Sequence, residues 1–296
     1  MLDKILREES KNICKRYRVK EKEARSLLEE KIKANLFLLE KIKQARDFSQ
    51  LKRSEAYKKF IKKARREIYY NLRRYHQDEA EENKLTVRLE KLVKSNEGTN
   101  KEEWQEIKDG LTSLHISTWE RKLYLKEFNQ KVVEIVKNEE NILDIGSGIY
   151  PLSFSFDEAG KLENYICLEK DKKAVRVLKL FSHLVKKNLL IFNEAIGAKD
   201  WGSYLPEGAE KFDVVFMFKL IPVIYRQERN LLKVLARVPG KKIIITANKE
   251  AMTKRKEIKR REDRVLRYFI GLTDKKIIEK LDFGNEFGYL LGASRP

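Results

Sequence analysis

Asn141 to Tyr150, NILDIGSGIY, constrains this chain more than any other stretch. The apolar run Ile142, Leu143 and Ile145 ends in Gly146-Ser147-Gly148, and Pro151 stands where a following helix would begin. That order predicts a strand, a tight turn and a helix. Two glycines let the backbone approach a ligand that a Cβ would hold off, and Asp144 sits at the strand end. The plain alternative is an ordinary strand-to-helix turn.

Spacing narrows the ligand. A G-x-G-x-x-G dinucleotide fingerprint needs a third glycine at position 151, where this chain has Pro151, and the next glycine is Gly160. S-adenosyl-L-methionine carries no pyrophosphate and tolerates a turn with fewer glycines, provided an acidic residue waits at the next strand end for the ribose hydroxyls. Glu169 follows the run Tyr165-Ile166-Cys167-Leu168 at the interval of one β-α-β step. The candidate cofactor set is therefore Asp144, Gly146, Ser147, Gly148 and Glu169. Asn193 and Glu194, after the third strand, are placed to meet an adenine edge. Glu169 as a solvated loop carboxylate, and Asn193-Glu194 as a polar loop, are the bland alternatives.

With 296 residues, 42% of them hydrophobic, the chain can bury a sizeable core and build two domains. Its 65 Lys and Arg against 46 Asp and Glu leave a net charge of +19, which points to a polyanionic partner. Cys14 and Cys167 lie far apart, and with three histidines they form no metal pattern, so a reducing compartment and no zinc are expected. No signal peptide or membrane-length apolar run stands out, so a soluble cytoplasmic protein is expected.

Residues 1 to about 114 contain no proline and almost no glycine, so helices are the expectation. Ala24, Leu27, Leu28, Ile32, Leu36, Leu39 and Ile42 form an apolar stripe at helical spacing. Between Lys41 and His76, 13 basic residues face only Asp47, Glu55 and Glu67. Lys58, Lys59, Lys62, Lys63, Arg65, Arg66, Arg73 and Arg74 make this the candidate phosphate-binding face. Tyr57, Phe60, Tyr69, Tyr70 and Tyr75 are interleaved; they can stack on bases or form the buried side of the helix.

Ser117 and Glu120, three apart at a helix start, read as a capping box. Capping leaves His115 and Arg121 unexplained. The segment His115-Ile116-Ser117-Thr118-Trp119-Glu120-Arg121 resembles the H-x-S-T-x-E-R signature of the aminoglycoside-resistance family of 16S ribosomal RNA guanine-N7 methyltransferases. DIGSGIYPL at Asp144 to Leu152, FKLIPVIYRQ at Phe218 to Gln227 and the closing LDFGNEFGYLL are similar to further stretches of that family in the same order. The basic helix from Lys62 to His76 is a looser likeness. The resemblance implies a class I methyltransferase with a helical N-terminal extension that docks on the small ribosomal subunit. It also implies that Arg121 binds the methionine carboxylate of the cofactor, a task that suits a guanidinium fork.

Independently of the family, strands are expected at Ile142 to Ile145, Tyr165 to Leu168, Leu189 to Phe192, Val214 to Phe218 and Lys242 to Thr246. Helical stretches such as Lys172 to Lys187 and Val223 to Arg237 separate them. The result is a parallel, doubly wound Rossmann-like sheet, and the runs Ile277 to Phe283 and Phe287 to Leu291 form an antiparallel hairpin at its edge. Met217, Phe218 and Lys219 at the fourth strand end would face the transferred methyl, or else Met217 and Phe218 are core. Guanine N7 has no proton to lose, so alignment suffices and no base is required. Lys254, Arg255 and Lys256, in a second basic stretch after the fifth strand, would cover the substrate or form a solvated face.

The expected protein is thus an S-adenosyl-L-methionine-dependent methyltransferase of ribosomal RNA, with a basic helical domain at 1–114 and a methyltransferase domain at 115–296. A non-catalytic ribosome assembly factor on the same fold, and a small-molecule methyltransferase, stand as the alternatives.

Overall fold

A computed structural model describes residues 1–17, 21–72, 78–95, 101–185, 187–250 and 257–293, without the side chains of 16, 17, 66 and 69–72. The chain divides into two compact units, Met1–Arg74 and Tyr75–Pro296.

The first unit is helical: α1 (Leu2–Tyr17), α2 (Glu21–Lys33), α3 (Leu36–Gln44), α4 (Phe48–Arg53) and α5 (Glu55–Leu72). Its core gathers Ile5, Ile13, Leu28, Ile32, Leu38, Phe48, Leu51, Ile61 and Ile68. The apolar stripe expected from Ala24 to Ile42 is broken at Asn35, whose side chain accepts the Leu38 N–H and caps a new helix. That cap resets the phase. Leu38 becomes buried, while Leu36 is 75% exposed.

The second unit holds a seven-stranded sheet in the order β3-β2-β1-β4-β5-β7-β6. The strands are β1 (Asn141–Ile145), β2 (Asn164–Leu168), β3 (Asn188–Phe192), β4 (Phe212–Met217), β5 (Gly240–Asn248), β6 (Lys276–Phe283) and β7 (Glu286–Gly292). The first five are parallel, and β7 runs antiparallel between β5 and β6. Such a sheet is covered on both faces, so its central strands read as unbroken apolar runs. All six residues of β4 are buried. The reversal of strand order between β1 and β4 puts a crevice at the carboxyl ends of these strands, where open α/β sheets bind ligands.

Around the sheet lie α6 (Glu79–Lys94), α7 (Lys101–Leu114), the short α8 (Ile116–Trp119), α9 (Leu125–Val136), α10 (Lys172–Ser182), α11 (Leu220–Gln227), α12 (Leu231–Leu235) and α13 (Lys259–Ile270). Composition groups α6 and α7 with the N-terminal helices, yet their Leu85, Leu89, Ile107 and Leu111 share a core with Ile142 and Tyr165 of the sheet. Glycine and proline scarcity signals helix; it does not say which core a helix faces. The single helix expected from Val223 to Arg237 is two, α11 and α12. Among the described residues, no helix is long and apolar enough to cross a membrane.

The β5–β7 pairing leaves no room at its middle. A Cβ on Gly288 would lie 2.0 Å from the Ile245 carbonyl oxygen, a backbone atom that cannot step aside. Gly288→Ala should therefore cost about 1–3 kcal/mol or more by overpacking. Urea unfolding of the variant checks this, and an unchanged midpoint would show that the pairing is looser than described.

Candidate functional site

The turn after β1 has the conformation that its glycines permit. Gly146 and Gly148 have φ of 68° and 54°, in the left-handed region. The Gly146 N–H bonds the Leu168 carbonyl, tying the turn to the end of β2. Glu169, one residue further on, turns its carboxylate back: Oε2 accepts the Gly148 N–H and Oε1 the Asp171 N–H, both at 2.8 Å. Loop and acid are thus one preformed unit at the carboxyl edge of the sheet.

The helix expected at Pro151 is replaced by two 3-10 turns, Tyr150–Ser153 and Phe156–Glu158. Tight turns let Tyr150, Phe154 and Phe156 pack edge-on and tilted against Phe128 and Tyr165. The turn is therefore not followed by the long helix that seats a pyrophosphate in dinucleotide folds.

Segment 115–121 runs along the same edge. The His115 ring is so close to the turn that a Cβ on Gly148 would meet its Cε1 at 2.9 Å. The capping box expected of Ser117 and Glu120 does not form. His115 itself occupies the N-cap of α8, Ser117 Oγ lies 2.9 Å from His115 Nδ1, and Glu120 comes after the helix. Both side chains are drawn to tertiary partners instead.

Those partners form a buried ionic network. Arg121, 2% exposed, grips Glu286 at the start of β7 with Nε and one Nη, each at 2.8 Å. Its guanidinium lies 4.3 Å from the centre of the Phe128 ring and 5.0 Å from that of Phe218. Thr246 donates its hydroxyl to Glu286 as well. Lys219 Nζ lies 2.8 Å from Glu120 Oε2 and 3.4 Å from Glu286 Oε2, and Asn248 Nδ2 donates to Glu120 at 3.2 Å. Two cations and two anions balance. Burial alone would raise the Glu286 carboxyl, but Arg121 and then Lys219 outweigh it and hold it well below the usual carboxylate range.

The residues singled out in the sequence fall into distinct places. Asp144, 1% exposed, accepts the Tyr165 hydroxyl at 2.8 Å. Asn193 spends its amide on the carbonyls of Glu169 and Lys170, which braces the acid. Glu194 is engaged by Lys199 and the Tyr204 hydroxyl. Met217 is wholly buried in the second core layer, on the face opposite Phe216 and Phe218, because side chains alternate along β4. It therefore meets no open surface and is corrected to a core residue. Phe218 stacks on Phe216 and backs Arg121. Lys219 is the one non-glycine residue with positive φ among those described, and its N–H bonds Thr246 Oγ1.

Arg121 already gives two of its donors to Glu286; the second Nη makes no hydrogen bond among the described residues. On α5, Lys58, Lys59, Lys62 and Lys63 are exposed on one face, whereas Arg65 turns inward to Glu9. Tyr57 is buried with its hydroxyl on Glu9 and presents no ring to a base. Arg73, Arg74, Tyr75, Lys254, Arg255 and Lys256 lie outside the described residues, as do the side chains of Arg66, Tyr69 and Tyr70. Sequence reasoning missed Glu286, Thr246 and Asn248. The only local signal was a carboxylate set in an apolar hairpin, which demands a partner.

No family model matches the chain. A 16S rRNA (guanine(1405)-N(7))-methyltransferase of Proteus mirabilis is 29% identical over 220 residues, which cover 70% of this chain and 75% of the relative. Among solved structures, the 16S rRNA methyltransferase RmtF in complex with S-adenosyl-L-homocysteine aligns with a TM-score of 0.56 at 16% identity, over 98% of each chain. The 16S rRNA methylase RmtB aligns with a TM-score of 0.55 at 17% identity, again over 98% of each chain. These structural likenesses establish the class I methyltransferase fold, and the curated relative agrees with the resemblance carried by the H-x-S-T-x-E-R segment.

Asp144 has a measurable electrostatic signature. Burial pushes its carboxyl up to about 7, against the Tyr165 hydrogen bond and the Arg121 charge. A raised folded value favours the protonated form, so the group costs nothing below about pH 4 and progressively more as pH climbs to 7. Asp144→Asn should stabilise the fold, with a gain that grows between pH 5 and pH 8. Thermal unfolding across that range tests it, and a gain that shrinks with rising pH would refute the assignment.

Proposed function

We propose that this chain transfers a methyl group from S-adenosyl-L-methionine to ribosomal RNA, at a guanine N7 of 16S RNA within the small subunit. The observation that carries the reading is the preformed unit of Gly146, Gly148 and Glu169 at the carboxyl edge of a methyltransferase sheet. The chemistry of the site fits that cofactor. The left-handed turn at Gly146 and Gly148 carries the backbone along the carboxyl edge of the sheet, and the Glu169 carboxylate, fixed by two N–H donors, keeps lone pairs for ribose hydroxyls.

Asp144 and Ser147 flank the same turn. Arg121 offers its remaining Nη to a methionine carboxylate while Glu286 fixes the guanidinium plane. Asn193 acts through Glu169, and Glu194 stands further along the loop beside Tyr204. The bound cofactor supplies an electrophilic methyl. Guanine N7 would attack that methyl with its own lone pair as the sulfur–methyl bond breaks and the neutral thioether, S-adenosyl-L-homocysteine, leaves; no proton is released, so the protein has to align the base and needs no general base. Phe218 and Lys219 would form the wall of the base site.

RNA attraction is assigned to the first unit. Residues 1–74 hold 24 Lys and Arg against 11 Asp and Glu, a net +13 of the chain's +19. Lys58, Lys59, Lys62 and Lys63 project from one exposed face of α5, with Lys58 facing Glu55 at 2.8 Å and Lys63 facing Glu67 at 3.9 Å. Exposed pairs of this kind are weak, so the face stays available to phosphates. The resemblance to the Proteus mirabilis relative supplies the choice of 16S RNA and of N7.

Incubation with labelled S-adenosyl-L-methionine and small ribosomal subunits, followed by mapping of the labelled base, tests the reaction. Label on a 16S guanine that blocks N7 reactivity is expected; no incorporation, alongside intact cofactor binding, would favour an assembly factor. Replacing Lys58, Lys59, Lys62 and Lys63 by Glu should weaken subunit binding. It should also flatten the salt dependence by roughly 0.7–0.9 in log–log slope per lost phosphate contact. Calorimetric titration should find cofactor affinity unchanged. An unaltered slope would move the RNA contacts elsewhere.

A further inference from the structure

The Glu120 cluster has more polar capacity than the fold uses. Lys219 and Asn248 both bond Glu120 Oε2. Oε1 makes no hydrogen bond among the described residues, and it is not among the sealed polar atoms. The side chain as a whole is 10% exposed. Because a carboxylate only accepts, Asn248 must turn its NH2 toward it, which aims Oδ1 the other way. That Oδ1 is buried and has no partner among the described residues. An orphaned acceptor is unfavourable in a resting fold and calls for a donor.

The three groups sit where a substrate base would come. Lys219 follows β4 and Asn248 ends β5, both at the carboxyl edge, and Glu120 belongs to the segment that begins with His115 against Gly148. Together they hold an unsealed carboxylate oxygen on Glu120, a covered acceptor on Asn248 that a small side-chain shift would have to uncover, and the Lys219 ammonium shared between Glu120 and Glu286. Guanine carries the complement on its Watson–Crick edge: N1–H and N2–H donors, with O6 as acceptor. Adenine offers an acceptor at N1 and would face acceptors with it. A base taken out of its helix is commonly read along this edge. N7 lies on the other edge and stays uncovered.

We infer that Glu120 and Asn248 are specificity-determining residues that accept the N1–H and N2–H donors of the target guanine, with Lys219 Nζ donating to O6. The inference rests on the guanine-N7 reading and adds to it which residues choose the base.

Glu120→Gln keeps the shape but replaces one acceptor lobe by a donor. Steady-state methylation is measured on subunits carrying guanine, or adenine by mutation, at the mapped position, with S-adenosyl-L-methionine affinity and melting temperature as controls. The kcat/KM for guanine should fall roughly ten- to a hundredfold, the worth of a charged hydrogen bond. The guanine-to-adenine ratio should narrow, and cofactor affinity should hold.

A purely structural Glu120 would instead lower the melting temperature and depress both substrates equally, which overturns the proposal. If Glu120→Gln does not fold, Asn248→Ala leaves every ion pair in place and should raise KM for guanine with cofactor affinity unchanged. An unaltered KM there also overturns it. Wild-type protein that binds the cofactor yet methylates no guanine would remove the underlying reading, and this inference with it.

Discussion

The pairing of Arg121 with Glu286 is the interaction on which the rest of the site depends. Moving two charges out of water costs several kcal/mol per ion, a cost met only by near-ideal geometry and further hydrogen bonds. Here both exist: a two-pronged contact at 2.8 Å, a donated Thr246 hydroxyl and aromatic rings around the guanidinium. The pair ties the segment after α8 to the hairpin, and Lys219 extends it to the end of β4. Four stretches far apart in sequence are therefore held in one register. Losing one partner would leave a buried charge unopposed, which is why such a network specifies geometry more than it adds stability.

That specification explains the left-handed Lys219. A non-glycine residue at φ 56° is disfavoured, and here its N–H on Thr246 Oγ1 and its Nζ between Glu120 and Glu286 hold it there. The same turn brings the chain from β4 straight into α11, whose Leu220 approaches Gly146. Glycine is then favoured at 146 by its φ, and a Cβ there would also crowd Leu220 Cδ1 at 3.1 Å. The turn after β1 and the start of α11 are consequently shaped by one another.

The middle of the sheet was legible in the sequence because its strands β1, β2 and β4 are buried on both faces. Apolar runs at Ile142 to Ile145 and Tyr165 to Leu168 mark β1 and β2 to within a residue, and the closing hairpin is as well marked. Gly146, Gly148 and Glu169 were legible too, since a turn conformation and a strand-end acid are local demands. Glu120 was not. Its spacing from Ser117 satisfies a local capping pattern, while its actual partner Lys219 is 99 residues away. Glu286 lies 165 residues from Arg121, and only the folded sheet brings them together. Local patterns thus captured the strands and the turn, and failed where meaning comes from a distant opposite charge.

Charge is distributed between the units with the same economy. The network at the sheet edge is neutral, so it contributes little long-range field; the net +13 of residues 1–74 has no such internal balance. An unbalanced basic surface attracts polyanions in general, whereas a neutral cluster exerts little pull at a distance. Under the proposed reading, selection of a base would rest on short-range hydrogen bonds, which operate only after water has left, and a cluster whose charges balance adds no long-range pull of its own to them. A site built from a neutral cluster can discriminate by donor and acceptor pattern. One carrying a large net charge of its own would bind any phosphate that drifted in.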